Sequence, residues 1–346
     1  MKKTFTLKQF LTLLCLVVIS ELGYAQTEKT RPLHVGFFYP ISSNGVNAGE
    51  FGNTFSMHAF VGLSREEKAL TMAGFSNIIN DKATGLQMAG FSNYVRNKTL
   101  GVQMSGFTNT TGSLDGAQLS GFVNTSREVN GGQFAGFTNI ATDVKGGQFS
   151  GFVNVANDVK GAQFAGFVNV ARKVTGAQFS GFVNVADSSD YPVGLVNLIK
   201  NGEKAIGLTV DETQTSIMAF RSGGRVLYGI IGLGYNWKNT DQVYALEAGI
   251  GAHWKINNSF RINAEALSTT LQKFDKLYYF KQSVRVMPEL DVLPGIGLFA
   301  GPSFNYVKTD SAEGRVLVKH YLHQKVKGDK FQGLYFGAVA GVHLKF

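Results

Sequence analysis

The sequence predicts an all-β chain in two parts, a repeat β-solenoid followed by an antiparallel β-barrel of the membrane-spanning kind. Three observations carry that prediction. A nine-residue phrase, Gly-x-Gln-x-x-Gly-Phe-x-Asn, recurs at nearly constant spacing through the middle of the chain. Six runs of period-two amphipathicity fill the C-terminal third. Finally, 42 Gly stand beside only 6 Pro and 28 Phe, which suits β-structure with tight turns and excludes a disordered low-complexity chain.

The chain opens with the pattern of an export signal. Lys2, Lys3 and Lys8 flank and precede an apolar run over residues 10–19, and Gly23-Tyr24-Ala25 supplies the small residues a signal peptidase requires. A signal peptide over residues 1–25 is expected, cleaved before Gln26. The apolar run is too short for a transmembrane helix. The only cysteine, Cys15, lies inside this segment, and Leu14 before it argues against a lipoprotein site. The exported chain would therefore use neither disulfides nor a cysteine nucleophile. The formal charge of +9 is scattered, with no dense basic run, so nucleic acid is not an expected partner.

Residues 26–63 read as a polar leader and two barrel strands, 34–41 (HVGFFYPI) and 54–63 (TFSMHAFVGL), joined by a Gly/Asn/Ser loop over 42–52.

The repeat region spans residues 64–204. Its cleanest copies are residues 146–154 (GGQFSGFVN), 161–169 (GAQFAGFVN) and 176–184 (GAQFSGFVN). The repeated Asn begins at Asn77 and Asn93, two steps of 16 residues carry it to Asn109, and five steps of 15 carry it on to Asn184. The structural positions are Gln103, Phe107 and Asn109; Gln118, Phe122 and Asn124; Gln133, Phe137 and Asn139; Gln148, Phe152 and Asn154; Gln163, Phe167 and Asn169; and Gln178, Phe182 and Asn184. A weaker copy, Val193-Gly194-Leu195-Val196-Asn197, closes the series.

Within one copy Gly161, Gln163, Ala165, Phe167, Asn169 and Ala171 alternate with Ala162, Phe164, Gly166, Val168 and Val170. Two β-architectures accommodate this. In a parallel solenoid each repeat is one coil, and Phe, Asn and Gln stack into ladders at the ~4.8 Å strand spacing. In one large barrel each repeat is a single strand, giving about 16 to 18 strands around a pore. The solenoid is preferred on symmetry. Antiparallel neighbours would put identical residues at opposite ends of alternate strands, so a barrel favours a two-strand repeat. A one-strand repeat is natural only where neighbours run in the same sense. Eight strong copies would build a rod of roughly 40 Å.

Residues 205–225 read as a junction with a turn at Ser222-Gly223-Gly224. Barrel strands are expected over 226–346, in the runs 226–237, 242–256, 259–268, 277–287, 295–307 and 332–346. In the second run Tyr244, Leu246, Ile250 and Trp254 share a face opposite Glu247, His253 and Lys255. In the third, Phe260 and Ile262 oppose Arg261 and Glu265; in the fourth, Phe280, Val284 and Val286 oppose Lys281 and Arg285. An apolar face ending in Tyr or Trp, opposite a charged face, is the pattern of a transmembrane strand.

These six runs and the two N-terminal ones make eight. With both termini on the periplasmic side, parity puts the polar stretches 42–52 and 308–330 outside, short connections at 257–258 and 288–294 inside, and the solenoid, between strands two and three, on the periplasmic side.

The terminal Val342-His343-Leu344-Lys345-Phe346 resembles the last strand of bacterial outer-membrane barrels, which closes on a terminal Phe. That resemblance implies recognition by the barrel-assembly machinery and contact with outer-membrane lipid. Over roughly residues 50–346 the chain also resembles a Bacteroidetes-type family of outer-membrane surface-repeat proteins, on its tandem Gly-x-Gln-x-x-Gly-Phe-x-Asn units and the Ser-Gly-Gly-Arg junction at Ser222–Arg225. The family's name implies surface exposure of the repeats, opposite to the parity argument, and no catalytic residue carries over from it.

Few residues suggest chemistry. His320 and His323 could share a helix face and bind a metal, but no third ligand accompanies them, and a solvated loop is the preferred reading. Glu247, Glu265, Arg261, Lys281 and Arg285 could form a lumenal cluster; a packing network is preferred over catalysis. Asp115, Asp143 and Asp158 lack the fixed offsets of a calcium-binding repeat, and no phosphate-binding loop is present. No enzyme, cofactor or metal is expected. The sequence points to a structural or binding protein, with the barrel as anchor and the repeats as a scaffold or adhesive surface for an unknown protein or glycan. The alternative is a porin-like channel.

Overall fold

The computed structural model describes residues 29–240, 242–273 and 279–346; the expected signal peptide lies outside them. The chain forms two sheets, an 18-stranded stack running through Ile199 and an antiparallel sheet from Lys204 onward.

The first sheet is a β-solenoid whose coils are the sequence repeats. One coil runs along Asp158–Ala165, turns at Gly166-Phe167, returns along Val168–Val170 and turns again at Ala171-Arg172. Neighbouring coils pair in parallel and in register: Gly146, Gly161 and Gly176 align, as do Gln148, Gln163 and Gln178, and Asn154, Asn169 and Asn184. Fifteen residues therefore make one turn of the solenoid. The earlier 16-residue copies place their extra residue at a corner, where the register shifts between Val95 and Lys98.

The two repeated glycines are fixed by close approach. Gly161 has φ +138°, and a Cβ there would run into the carbonyl oxygen of Gly146 one coil earlier; a Cβ at Gly166 would meet that of Gly151. The interior is narrow. Leu114, Val129, Val144, Val159 and Val174 form one stripe, with Ala141, Ala156 and Ala171 beside it. Beside this stripe the repeats bury a column of Asn and a column of Gln side chains. Asn169 donates from Nδ2 to Asn184 Oδ1 at 3.0 Å and to the Phe179 carbonyl at 2.7 Å, and Gln178 donates from Nε2 to Gln163 Oε1 at 3.0 Å. These ladders satisfy buried amides that would otherwise oppose folding.

The solenoid starts earlier than its sequence signature. Thr30–Phe38 pairs in parallel with Gly52–His58, which pairs in parallel with Glu66–Ala73. The two N-terminal runs expected as barrel strands are thus solenoid strands, and the loop between them holds a short strand, Ile41–Ser42, and a 3-10 turn, Gly45–Glu50. The misassignment has a physical cause. Both architectures show alternating strands with apolar outward residues, and here Phe55 and Met57 face out while Ser56 and His58 are buried.

The second sheet is a closed barrel of eight strands: Lys204–Asp211, Thr215–Gly223, Leu227–Asn236, Tyr244–Lys255, Phe260–Gln272, Tyr279–Leu293, Ile296–Thr309 and Lys330–Lys345. The first strand closes on the last from Ala205 opposite Lys345 to Asp211 opposite Val339. The six expected C-terminal runs are all barrel strands. The expected junction over 205–225 is instead the first two strands of the barrel. Their signal is short, with only Ile206, Leu208 and Val210 facing out from the first. The fourth run extends past its expected end, through Pro288 to Leu293, so the short turn is residues 294–295. The alternative of one large barrel built from the repeats is excluded by their parallel pairing.

The solenoid enters at the barrel end that carries the chain terminus and the tight turns 224–226, 256–259 and 294–295. The opposite end carries the tight turn 212–214, residues 237–240 and 242–243, and the long excursion 310–329, which includes a short helix, Ala312–Val316, and a strand, His323–Lys327, paired to the last barrel strand.

Candidate functional site

Three places gather side chains capable of function: the barrel lumen, the N-terminal coil and the outer face of the solenoid.

The lumen collects the charged residues singled out in the sequence. Glu265 accepts from Arg221 Nε at 2.9 Å, from Arg285 Nη2 at 2.6 Å and from the Tyr228 hydroxyl at 2.9 Å. Arg285 also reaches Glu247 at 3.3 Å. Nearer the solenoid, Glu289 pairs with Arg261 at 2.9 Å, His343 at 2.8 Å and Lys345 at 2.8 Å, and Arg261 also pairs with Glu203. Lys281 pairs with Asp211. Glu247, Glu265, Glu289 and Asp211 are thus each held by at least one cation, while Glu212 accepts from the Tyr335 hydroxyl at 2.9 Å and the Ala338 N–H at 3.1 Å. Two lumenal cavities measure about 10 and about 20 Å³, room for about one water each. The far mouth is closed by packed Tyr279, Tyr335, Leu317 and Phe331. This is the packing network expected, and among the described residues it fills the lumen apart from these two small cavities.

His320 and His323 lie exposed in the long excursion. Among the described residues no group of three or more His, Cys, Asp or Glu could hold a metal ion.

The N-terminal coil replaces the amide ladder with ionisable groups. His34 Nε2 lies 3.0 Å from Ser42 Oγ and 3.4 Å from His58 Nε2. Glu67 accepts from Ser56 Oγ at 2.7 Å and from Asn53 Nδ2 at 3.1 Å. Burial lowers His34 to about 4, with His58 and Arg31 adding repulsion, and burial lowers His58 as well. Burial raises Glu67 to about 7, against the hydrogen bonds from Ser56 and Asn53. Sequence reasoning passed over these residues because His34 and His58 stand alone in apolar runs and Glu67 lies within the charged stretch 65–68; only the coil register brings them together.

The solenoid's outer face is organised by two ladders. Phe60, Phe75, Phe91, Phe107, Phe122, Phe137, Phe152, Phe167 and Phe182 stack with ring centroids 4.8–5.2 Å apart. Three residues earlier in each coil runs a second ladder of Met57, Met72, Met88, Met104, Leu119, Phe134, Phe149, Phe164, Phe179 and Val193. Its phenylalanines also stack, 4.8–5.1 Å apart. Ala or Ser and then Gly fill the interval between the ladders, and the second ladder walls a groove of about 1300 Å³ along the solenoid with that interval as its floor. The Phe of the repeat phrase stacks on its equivalents, as expected for a parallel solenoid, but it does not lie in the interior. It is instead about 40% exposed, while the Gln and Asn positions are fully buried.

Both ladders end at the barrel. The equivalent of Phe182 in the last coil is Leu195, since Val196 donates to the Phe182 carbonyl as Val183 does to that of Phe167. Leu195 lies in a concavity of about 650 Å³ with outward-facing Ile250, Ala266, Val284 and Phe304 of the barrel wall. A Cβ at Gly229 would strike the carbonyls of Gly194 and Leu195, so this glycine lets the last coil seat on the wall.

No family model and no curated protein matches the chain. Among solved structures it is similar to Neisserial surface protein A (NspA), with 14% sequence identity, 42% of this chain and 94% of that chain covered, and a TM-score of 0.22. At that score the likeness adds nothing to the barrel described above.

Proposed function

We propose that the protein is a non-enzymatic outer-membrane component in which the barrel anchors the solenoid as a rigid periplasmic scaffold. One observation carries this reading: among the described residues, a closed eight-stranded barrel with an apolar outer face has three of its four tight turns, 224–226, 256–259 and 294–295, at the end where the solenoid attaches, and the long excursion 310–329 at the other. Barrels of the bacterial outer membrane turn tightly on the periplasmic side and carry longer loops outside. Leu233, Leu246, Ile250, Val284, Leu298 and Phe336 form the outward apolar band. Trp237, Tyr235 and Tyr244 sit at its far rim and Trp254 at the near one, as interfacial aromatics do. The packed lumen weighs against the channel alternative. The periplasmic placement agrees with the side inferred from parity, although the strands counted there were the wrong ones. It runs opposite to the surface exposure that the repeat-family resemblance implies.

A protease site inserted at the exposed corner Asn157-Asp158 tests this. The site is protected in intact cells and cut once the outer membrane is permeabilised. Cutting in intact cells would put the repeats on the cell surface.

A further inference from the structure

We propose that the solenoid groove is a binding site for the acyl chain of a membrane lipid, which enters from the lipid-facing wall of the barrel. The inference rests on the barrel being membrane-embedded. Its first support is continuity. The groove's wall ends at Val193, and two residues on, Leu195 lines a concavity of about 650 Å³ together with the outward-facing Ile250 and Val284 of the barrel wall. A chain leaving the inner leaflet beside these residues meets the groove without crossing a charged rim.

The second support is chemistry. The lining carries no Asp, Glu, Lys or Arg, and its only imidazole, His58, stands at the end remote from the barrel. Its volume exceeds the roughly 300–1,000 Å³ of ordinary small-molecule pockets. Its run of ten coils spans roughly 40 Å, longer than the ~15 Å hydrocarbon half-thickness of a bilayer.

The third support discriminates against a peptide. A bound peptide needs a hydrogen-bond partner for every backbone group. The floor's amides are already used between coils, as where Gly151 N donates to Ala135 O and Gly166 N to Ser150 O. The wall is apolar in every coil, Met in four successive coils and Phe in four more, so it offers no polar partner that would select one peptide side chain over another. A polymethylene chain is apolar throughout and needs no hydrogen bonds.

The test uses the full-length protein in phosphatidylcholine vesicles with brominated acyl chains, which quench indole fluorescence on contact. Wild-type emission comes from Trp237 and Trp254, the only two tryptophans, and reports barrel insertion. The groove probe is Phe149→Trp in a Trp237→Phe/Trp254→Phe background. Phe149 lies three coils, roughly 15 Å, from the barrel-end coil. Loss of its emission relative to unbrominated vesicles, together with recovery when Ser150→Leu fills the floor, is the expected result. An indole at the exposed corner, introduced by Thr142→Trp, keeps its emission. Quenching that persists with Ser150→Leu would mean that this face merely lies on the bilayer, and would overturn the proposal. An unquenched groove probe beside quenched wild-type tryptophans would overturn it and leave the membrane anchor standing. Unquenched wild-type tryptophans would defeat the anchor itself. Circular dichroism on each variant establishes that the solenoid is folded.

Discussion

Asn197 ends the asparagine ladder on the barrel. Its backbone N–H donates to Ser222 Oγ at 2.9 Å and its side-chain amide to the Ser222 carbonyl at 3.1 Å. Ser222 belongs to the second barrel strand and is fully buried. The barrel wall is therefore the cap of the solenoid, covering coil edges that would otherwise stand open to pairing with another chain. The glutamine ladder has no such cap. It stops at Gln178, whose register partner is Pro192 and whose Oε1 has no hydrogen-bond partner.

Ser222→Ala removes the hydroxyl that accepts from Asn197 and leaves a buried donor unsatisfied. The expected cost is about 1–3 kcal/mol. It will appear as a lower unfolding temperature for the solenoid by far-ultraviolet circular dichroism, with the barrel's heat-modifiable electrophoretic migration unchanged. Unaltered solenoid melting would show that the cap contributes nothing.

Asn154→Leu interrupts the ladder at mid-solenoid. Asn169 Oδ1 loses its donor and Phe164 O loses the 2.7 Å bond from Asn154 Nδ2. Asn169 is fully buried and the Phe164 carbonyl partly so, and the loss should be on the order of 2–4 kcal/mol. Phe152→Ser, in the half-exposed stack of the same coil, should cost about 1–2 kcal/mol, since only part of the ring's area is shielded. Chemical denaturation of the two variants gives the order, and a larger loss at Phe152 would reverse the assignment of interior and exterior.

The N-terminal coil should show two opposed pH dependences. His34 is lowered to about 4 in the folded chain, so its contribution is complete above about 6.5 and is lost as pH falls from there towards 4. Glu67 is raised to about 7, so its burial costs nothing below about 4.5 and the cost grows as pH rises to 7. Between about 4.5 and 6.5 the two oppose each other. Glu67→Gln removes the second, so this variant should gain stability at pH 8 and lose it steadily on acidification below 6.5. Hydrogen exchange of the amides in Gly52–His58 measures both limbs.

Arg285→Met breaks the lumenal pair with Glu265 and leaves that carboxylate one cation short. The expected loss is about 3–5 kcal/mol, seen as a lower temperature for loss of heat-modifiable migration. The wild-type barrel should show no steady single-channel conductance in a planar bilayer, because its lumen is filled. A stable open level would contradict that.

How much was legible follows from where each element keeps its information. The coils were legible because each copy must place Gly161 against Gly146 and Asn169 against Asn184, so the backbone's own contacts write the repeat into the sequence. The strand from Tyr244 to Lys255 was legible because its outward residues Leu246, Ile250 and Trp254 are apolar while its inward Glu247 and His253 are polar. The strand Lys204–Asp211 was hidden because its inward Ala205, Gly207 and Thr209 carry no charge before Asp211 at its end, and only a four-residue turn separates it from the last coil. The groove was not legible. Phe164 and Phe167 share one exposed flank only because the turn at Gly166-Phe167 folds the coil between them.

The central claim is that barrel and solenoid lie on opposite sides of one membrane surface, and paired cysteine labelling tests it most directly. The only native cysteine, Cys15, falls within the expected signal peptide, so single cysteines can be introduced at Val316 in the long excursion and at Asn157 in a solenoid corner, both exposed. With a membrane-impermeant maleimide on intact cells, Val316→Cys is labelled and Asn157→Cys is labelled only after permeabilisation. Labelling of Asn157→Cys in intact cells, with Val316→Cys protected, would contradict the account.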